Sequence, residues 1–376
     1  MRTLKIAMLG FGNAGRAFAR ILLDKHQQIK QDYGCDIQTA AIVTGSRGTL
    51  LSPAGFPADA VPSQIPPESD GQDVTSQGAI SQGVTSQGID LAEAIRQIEE
   101  DGRFDENSPF FSRLTALEVV DRADYDVIIE LTPLQIFTGQ PATDHLRRAM
   151  KRGKHAITAN KGPIAWAYDE LAALAEEQKV QFYFETTVMD GTPVFNLVDE
   201  TLKYCKVTEV SGILNTTTNF VLEELAKGRP YDEVMEEGRR RGFVEADPSM
   251  DMEGWDAAAK TAALLNVLMK AGITPGEIDR TGISEITAAD IDAAASRGCL
   301  IKLLCHGTIQ NGKVIGAVRP TEVPKDDLLS HIDGTSSVVS ITTDLMGKLT
   351  IVEHDPELLQ TGYGIFSDLV RIISHL

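Results

Sequence analysis

The sequence predicts an α/β fold, with a Rossmann-type unit in its first half and a mixed α+β unit in its second half. Short apolar runs alternate with stretches of helical periodicity until about residue 185, and this alternation is lost after Gly191. Alternation of this kind is typical of a mainly parallel sheet covered on both faces by helices. The 376 residues also favour more than one domain, because single cores stop growing at about 250–300 residues.

The first strand, turn and helix follow one another at the N-terminus. An apolar run over residues 4–9 leads directly into Gly-Phe-Gly-Asn-Ala-Gly, and apolar residues at helical spacing come next. In a dinucleotide-binding turn, Gly10 permits the sharp bend, Gly12 lets the backbone approach a pyrophosphate, and Gly15 lets the helix pack on its strand. The candidate cofactor-binding residues of this turn are Gly10, Gly12, Asn13, Ala14 and Gly15.

The second strand is predicted over residues 38–43, and its end reads Thr-Gly-Ser-Arg without an acidic residue. Sites that prefer NAD place Asp or Glu there to bind the ribose, whereas a basic residue suits the 2′-phosphate of NADP. Arg47 therefore favours NADP(H) over NAD(H). The alternative interpretation is a solvated arginine in a loop.

Residues 51–87 are predicted to be an irregular insertion rich in Pro, Ser, Gln and Gly. Ser-Gln-Gly recurs at Ser76, Ser81 and Ser86, and the repeat has no apolar period with which to bury a face. Two interpretations remain open, a lid over the cofactor or a surface loop without a catalytic part.

Strands and helices resume after residue 125. Predicted strands cover 126–131, 155–158 and 181–185, and predicted helices cover 142–152 and 168–178. Ligands of such sheets bind beyond the carboxyl ends of the strands. Thr132 and Asn160 are therefore candidate cofactor contacts, and Lys161 is a candidate catalytic lysine.

The second half contains a group of acidic residues before a strongly apolar helix. Four acids occur between residues 245 and 253, and Asp256 and Lys260 follow at i, i+4 spacing on one helical face. A solvated acidic loop and a surface ion pair are the simple interpretations. The surrounding Ala and Leu residues favour a buried helix, however, and a buried lysine needs a reason. Strands are predicted at 207–214, 300–309, 314–319, 336–343 and 349–352, and a last helix at 366–373.

At this point the sequence resembles the homoserine dehydrogenase family over nearly its whole length. The resemblance lies in the glycine turn, in Ala-Asn-Lys-Gly-Pro over residues 159–163, in Gly-Ile-Leu-Asn-Thr-Thr-Thr-Asn-Phe over residues 212–220, and in Glu-Ala-Asp-Pro over residues 245–248 with Asp251, Asp256 and Lys260. The chain is similar to the short members, which carry no C-terminal regulatory domain. The domains expected are a dinucleotide-binding domain at 1–184 plus 357–376, and a substrate-binding, catalytic and dimerisation domain at 185–356.

The resemblance implies interconversion of L-aspartate 4-semialdehyde and L-homoserine with NAD(P)H, a step in threonine and methionine biosynthesis. It implies that Lys260 is the general acid/base, that Asp256 orients it, and that Lys161 is a second catalytic cation near the substrate. A lysine can serve in this way if burial and a nearby cation lower its pKa. The other implied contacts are Glu245 and Asp251 to the substrate and Gly242 to the cofactor.

The resemblance further implies a homodimer and a monovalent cation, usually sodium, held by backbone oxygens at Glu185, Val188, Asp190 and Thr192. A departure lies near the C-terminus, where Glu353-His354-Asp355-Pro356-Glu357 stands in place of the family's Gly-Pro-Gly-Ala-Gly loop. Either this loop has moved away from the cofactor, or the chain is tuned to another substrate. Two rival functions therefore remain, a paralogous NADP-dependent oxidoreductase and a non-catalytic NADP-binding sensor.

The composition restricts the partners. A formal charge of −19 and a longest basic run of three arginines argue against nucleic acid, and no apolar run is long enough for a signal peptide or a membrane span. The four cysteines form no Cys-x-x-Cys pair, which is typical of a reducing compartment. The sequence thus predicts a cytoplasmic protein that binds a small-molecule substrate.

Overall fold

The computed structural model describes residues 1–52 and 88–376, so the predicted Ser-Gln-Gly insertion lies almost entirely outside the described residues. Within them, the first half forms a seven-stranded sheet in the order β4-β3-β2-β1-β5-β6-β7. Its strands are β1 (Arg2–Leu9), β2 (Cys35–Val43), β3 (Thr49–Leu51), β4 (Phe111–Ser112), β5 (Val127–Glu130), β6 (His155–Thr158) and β7 (Phe182–Tyr183). The five neighbouring strands β2, β1, β5, β6 and β7 are parallel to one another. At one edge, β3 pairs antiparallel with β2, and β4 pairs antiparallel with β3.

The second half folds around a six-stranded sheet within the described residues, in the order β13-β12-β8-β10-β11-β9. Its strands are β8 (Val207–Ile213), β9 (Asp279–Arg280), β10 (Cys299–Gln310), β11 (Lys313–Pro324), β12 (Ser337–Thr343) and β13 (Gly347–Glu353). All neighbours except β11 and β9 pair antiparallel. The predicted division into a parallel α/β half and a mixed α+β half is confirmed.

The helices of the first half cover both faces of its sheet. They are α1 (Asn13–Tyr33), α2 (Leu91–Arg96), α3 (Ala116–Arg122), α4 (Ala142–Lys151) and α5 (Lys161–Gln178). The helices of the second half are α6 (Phe195–Thr201), α7 (Thr216–Ala226), α8 (Tyr231–Arg241), α9 (Ser249–Met252), α10 (Trp255–Met269), α11 (Ala288–Ser296) and α12 (Leu358–Ser374). No helix of the described ranges is long and apolar enough to cross a bilayer.

The starts of two helices were predicted too late in the sequence. The helix predicted from residue 168 starts at Lys161, because the Asn160 side chain caps its first turn and accepts a hydrogen bond from Gly162 N at 3.0 Å. Pro163 is compatible with that first turn, where a missing N–H costs little. The consequence for the site is that Lys161 stands at the N-terminus of a helix and not in a loop.

The last helix was predicted over residues 366–373 but begins at Leu358. Gly362 and Gly364 weaken the helix signal of its first turns in the sequence, and the structure shows why glycine occurs at these positions. A Cβ on Gly362 would lie 2.7 Å from the backbone of Ala17 and Phe18, so glycine allows α12 to pack closely on α1. The end of the chain is thereby anchored on the helix that follows the glycine turn.

Asp368 of α12 is a buried carboxyl beside a second one, Glu185. Its Oδ2 accepts a hydrogen bond from Glu185 N at 2.9 Å, while its Oδ1 has no partner among the described residues. Burial, and then the charge of Glu185, raise the pKa of Asp368 to about 8. The folded protein therefore holds a proton on Asp368 that the unfolded chain, with an ordinary pKa near 3.8, releases.

This difference predicts how Asp368→Asn changes stability with pH. Between about pH 4 and pH 8 the folded state binds the extra proton, so the stability of the wild type falls as pH rises through that window. Asparagine does not titrate, and we expect the variant to gain about 1–3 kcal/mol relative to wild type between pH 5 and pH 8. Urea unfolding at both pH values measures the gain. A difference that is constant with pH would contradict the assignment.

Candidate active site

The glycine turn lies where the order of the first sheet reverses, between β1 and β5. Gly10 has a φ of +103°, and a Cβ there would lie 2.3 Å from Leu131 O, so no larger residue fits this bend. Gly12 begins α1 without a side-chain cap, and a Cβ on Gly12 would meet no described atom within 4 Å. The free N–H groups of the first turn and the open space above Gly12 suit a pyrophosphate. These residues fit a dinucleotide cofactor.

The other predicted residues of the turn, Asn13, Ala14 and Gly15, lie at the start of α1 and differ in their exposure and contacts. Gly15 faces Gly10 O, 3.0 Å from where its Cβ would be, which keeps α1 close to the strand. Ala14 is partly buried, and Asn13 is exposed. The sequence reasoning missed Arg16, whose guanidinium donates to Asn13 Oδ1 at 2.9 Å and so fixes the side chain at the start of α1.

Three further predicted cofactor contacts lie at the ends of strands in the same sheet. Arg47 follows β2 in a turn that Thr44 closes, because Thr44 Oγ1 donates to Gly48 O at 2.7 Å and accepts from Arg47 N at 2.9 Å. The Arg47 side chain is exposed. Thr132 follows β5, and its carbonyl accepts a hydrogen bond from Asn160 Nδ2 at 3.0 Å. Thr132 and Asn160 therefore form one connected edge beyond β5 and β6.

Two lysines meet on one carboxylate between the halves of the chain. Lys161, at the start of α5, lies with its Nζ 2.8 Å from Asp256 Oδ1, and Lys260 Nζ lies 3.5 Å from Asp256 Oδ2. Lys260 Nζ also donates to Leu214 O at 2.7 Å, at the end of β8. All three charged side chains are at most 19% exposed, so they form a partly buried cluster rather than a surface ion pair.

The charges of the cluster stabilise one another. Burial alone would raise the pKa of Asp256, but Lys161 and Lys260 outweigh it and hold this pKa well below its usual range. Burial would also lower the pKa of Lys260, yet Asp256, with Asp190 and Asp251, raises it. The expectation that burial and a neighbouring cation lower the pKa of Lys260 is therefore wrong, because three carboxylates outweigh burial. The ammonium form of Lys260 is therefore the stable one.

Asn215 organises the acidic side of the cluster and was not singled out from the sequence. Its Nδ2 donates to Asp251 Oδ1 at 2.7 Å and to Asp256 Oδ2 at 2.9 Å, while its Oδ1 caps α7 through Thr218 N at 2.8 Å. Burial, and then the nearby Asp256, raise the pKa of Asp251. An Asn directly before a Thr-Thr-Thr run is an N-cap signal, and it could have identified this residue.

Glu245 and Gly242 lie apart from the cluster, in the link between α8 and α9. Glu245 is exposed, and no hydrogen bond or ion pair of the described residues joins it to either lysine. Gly242 ends α8 with a φ of +86°. Thr217 Oγ1 donates to Phe243 O at 3.1 Å, which holds the link beside the start of α7. Of the four acids at residues 245–253, only Asp251 is hydrogen-bonded to Asn215, which also bonds to Asp256.

The segment predicted to bind a cation has its own internal contacts. The carboxylate of Glu185 accepts hydrogen bonds from three backbone N–H groups at the start of α6, at 2.6–2.8 Å. Asp190 has a φ of +40° and accepts a hydrogen bond from Thr361 Oγ1 at 2.6 Å. Thr192 O accepts the Val194 N–H at 2.9 Å, and Val188 is buried. No group of three His, Cys, Asp or Glu side chains within the described ranges could hold a metal ion.

The altered C-terminal loop begins with a buried acid. Glu353 ends β13 with 8% exposure and accepts a hydrogen bond from Ser337 Oγ at 3.3 Å. Burial, and then the charge of Asp190, raise the pKa of Glu353 to about 7, while Lys260 acts in the opposite direction. Asp355 turns with a φ of +41° and accepts from Thr335 Oγ1 at 3.3 Å. The first acid of the loop is thus close enough to Asp190 and Lys260 for their charges to act on its pKa.

Comparison with known proteins decides the family. Models described as "Homoserine dehydrogenase" and "Homoserine dehydrogenase, NAD binding domain" match residues 193–370 and 102–185. A homoserine dehydrogenase from Methanocaldococcus jannaschii is 33% identical over 371 residues, which cover 98% of each chain. The chain belongs to the homoserine dehydrogenase family. An NAD(+)-dependent homoserine dehydrogenase from Pseudomonas canavaninivorans is 30% identical over 373 residues, 99% of this chain and 97% of that one.

Solved structures of homoserine dehydrogenases share the fold. One from Thiobacillus denitrificans has a TM-score of 0.77 and 25% identity, covering 99% of this chain and 74% of that one. A hyperthermophilic archaeal homoserine dehydrogenase in complex with NADPH has a TM-score of 0.77 and 25% identity, covering 100% and 98%. The homoserine dehydrogenase fold therefore extends over both halves of the chain, and the resemblance seen in the sequence is confirmed.

Proposed function

We propose that the chain catalyses the interconversion of L-aspartate 4-semialdehyde and L-homoserine with NAD(P)H. The observation that carries this function is the pair of lysines on Asp256, at the carboxyl edge of the sheet that holds the glycine turn. Binding a nucleotide alone requires neither lysine, so the cluster disfavours a sensor. Membership of the family disfavours a paralogue with a different substrate.

In the direction of reduction, Lys260 donates a proton to the aldehyde oxygen. When bound, the reduced nicotinamide supplies the hydride that attacks the carbonyl carbon. The raised pKa of Lys260 keeps it protonated for this step, and Asp256 holds its ammonium group in place. Lys161 places a second positive charge beside the oxygen on which negative charge develops.

The acidic side of the cluster suits the α-ammonium group of the substrate. Asp251 points inward and is held by Asn215, so its carboxylate can accept charge-assisted hydrogen bonds from an ammonium. An ammonium would also offset the burial that raises the pKa of Asp251. Glu245 would have to turn inward from its exposed link to contribute a second bond.

The cofactor fits the glycine turn, and we infer a preference for NADP(H). The turn after β2 contains no acid to bind a ribose hydroxyl, and it exposes Arg47 beside the crevice. A guanidinium binds a phosphate with two parallel hydrogen bonds, which suits the 2′-phosphate.

Arg47→Ala tests this preference. We expect the Kd of NADPH to rise about 10- to 100-fold, because a hydrogen bond to a charged group contributes about 1.5–3 kcal/mol, while the Kd of NADH changes little. Titrations that follow cofactor fluorescence measure both constants. Arg122→Ala removes an exposed arginine of α3 and is the matched control. Equal weakening of both cofactors would refute the role of Arg47.

Two further features of the proposal concern the domains and their assembly. The predicted domains, 1–184 plus 357–376 and 185–356, agree with the two sheets and with the packing of α12 on α1. A homodimer through the second sheet would cover the apolar turn after β12, where Leu345 and Met346 are 72% and 59% exposed.

Two more features concern a bound cation and the location of the protein. A sodium ion would use the backbone carbonyls of residues 185–192, since the Glu185 carboxylate already accepts hydrogen bonds from the start of α6. Free thiols at all four cysteines support a cytoplasmic location.

One assay tests the function directly. Purified protein is mixed with L-aspartate 4-semialdehyde and NADPH, and the absorbance of NADPH is followed. We expect turnover with formation of L-homoserine. Tight binding of NADPH without turnover of any aldehyde would favour a sensor, and turnover only of other substrates would favour a paralogue. Repeating the assay in sodium, potassium and tetramethylammonium salts tests the cation, and light scattering tests the dimer.

A further inference from the structure

Glu130 and His145 form a buried pair beneath the cofactor crevice. Glu130 ends β5 and is completely buried, and its Oε2 lies 2.6 Å from Nδ1 of His145, which is 2% exposed on α4. Among the described residues, no lysine or arginine is within ion-pair distance of Glu130. Burying a carboxyl group without a fixed cation is costly, and the hydrogen bonds that it makes offset part of that cost.

The other oxygen of Glu130 holds the turn that follows β5. Its Oε1 accepts hydrogen bonds from the backbone N–H of Thr132, at 2.7 Å, and from the Thr132 hydroxyl. Leu131, between them, touches the point where Gly10 allows no Cβ. The carboxyl group therefore fixes the backbone that packs directly against the glycine turn, at the wall of the crevice.

The same series of contacts reaches the lysine cluster. Thr132 O accepts a hydrogen bond from Asn160 Nδ2 at 3.0 Å, and Asn160 caps the helix whose first residue is Lys161. Lys161 in turn binds Asp256 at 2.8 Å. A shift of the Thr132 turn would therefore displace both the crevice wall and the start of α5.

We propose that Glu130 and His145 are positioning residues for the reaction. His145 orients the Glu130 carboxylate, the carboxylate fixes the Thr132 turn, and the turn sets the place of the cofactor relative to Lys161. Neither residue touches the substrate. The expected change in kcat rests on the proposed function. The expected effect of the two residues on cofactor binding does not, because NADPH binding can be measured without turnover.

Glu130→Ala and Glu130→Gln test the proposal as a pair. In the alanine variant we expect the Kd of NADPH to rise and kcat to fall, each by about 10-fold or more, because small misplacements of reacting groups are costly. Glutamine keeps an oxygen for Thr132 and an amide for His145, so we expect both constants to stay within about 3-fold of wild type. Both are measured per folded protein, with the unfolding temperature recorded separately.

His145→Ala provides a second route if Glu130→Ala fails to fold. It leaves the Thr132 bonds available but frees the carboxylate to rotate, so we expect a weaker loss of the same kind, in NADPH affinity and in kcat. If the variants lower only the unfolding temperature, and the folded fraction binds NADPH and turns over like wild type, the pair is structural and the proposal is wrong. Failure of the wild type to reduce L-aspartate 4-semialdehyde would count against the proposed function only. The NADPH titration would still test the role of Glu130 and His145, because it needs no turnover.

Discussion

Lys260→Ala is expected to lower kcat for aldehyde reduction by about 10²- to 10⁴-fold, the range typical of a lost general acid. The side chain bonds to Leu214 O and lies beside Asp256, so alanine removes the proton donor without removing a contact of the glycine turn. The Kd of NADPH should therefore stay within about 3-fold of the wild-type value. Stopped-flow measurement of NADPH oxidation and fluorescence titration separate the two quantities.

Lys203→Ala is the matched control for this experiment, because Lys203 is an exposed lysine after α6, outside the lysine cluster. It should have wild-type kcat. A Lys260→Ala variant that keeps more than about a tenth of the wild-type kcat would show that another group delivers the proton. Lys161 would then be the first alternative, since it lies on the same carboxylate.

Asp256→Asn has the second large expected effect, on both stability and activity. The pKa of Asp256 is depressed, so its charge stabilises the folded state at every pH above the unfolded pKa near 3.8. Removing that charge at pH 7 leaves two lysines facing each other with low exposure. We expect a loss of about 2–4 kcal/mol in the free energy of unfolding, measured in urea.

The same substitution should lower the pKa of Lys260, because its nearest counter-charge is gone. The pH profile of homoserine oxidation, which needs Lys260 as a base, should then shift toward lower pH. A purely structural role of Asp256 would not move this profile. Asp247→Asn, an exposed change in the preceding loop, is the control and should leave both stability and profile unaltered.

Much of the lysine cluster could be predicted from the sequence, because helix and sheet geometry are local rules. The i, i+4 spacing placed Asp256 and Lys260 together, and the order of strands and helices placed Lys161 at the carboxyl edge of a parallel sheet. What the local rules could not supply was the contact between Lys161 and Asp256, which are separated by 95 positions.

Other features depend on packing that no local pattern reveals. Asp251 and Glu245 look equivalent in the sequence, yet one faces Asn215 and the other faces solvent. Glu130 gave one weak signal, an acid at the end of an apolar strand, but its partner His145 lies on the next helix. The early start of α12 was hidden because Gly362 serves close packing on α1, and Gly364 close packing on Thr186 and Gly191, and neither forms a turn.

The packing of α5 against α10 has a consequence for redesign. The helix that begins with Lys161 lies in the first half of the chain, beside the nucleotide-binding sheet. Asp256 and Lys260 lie on α10, in the second half. Exchanging the nucleotide-binding domain for an unrelated one would remove Lys161 and leave Asp256 with a single lysine. The two halves are therefore not interchangeable modules. A change of cofactor in this chain is best sought by substituting exposed side chains of the first half, with Arg47 as the first residue to test, while both halves are kept.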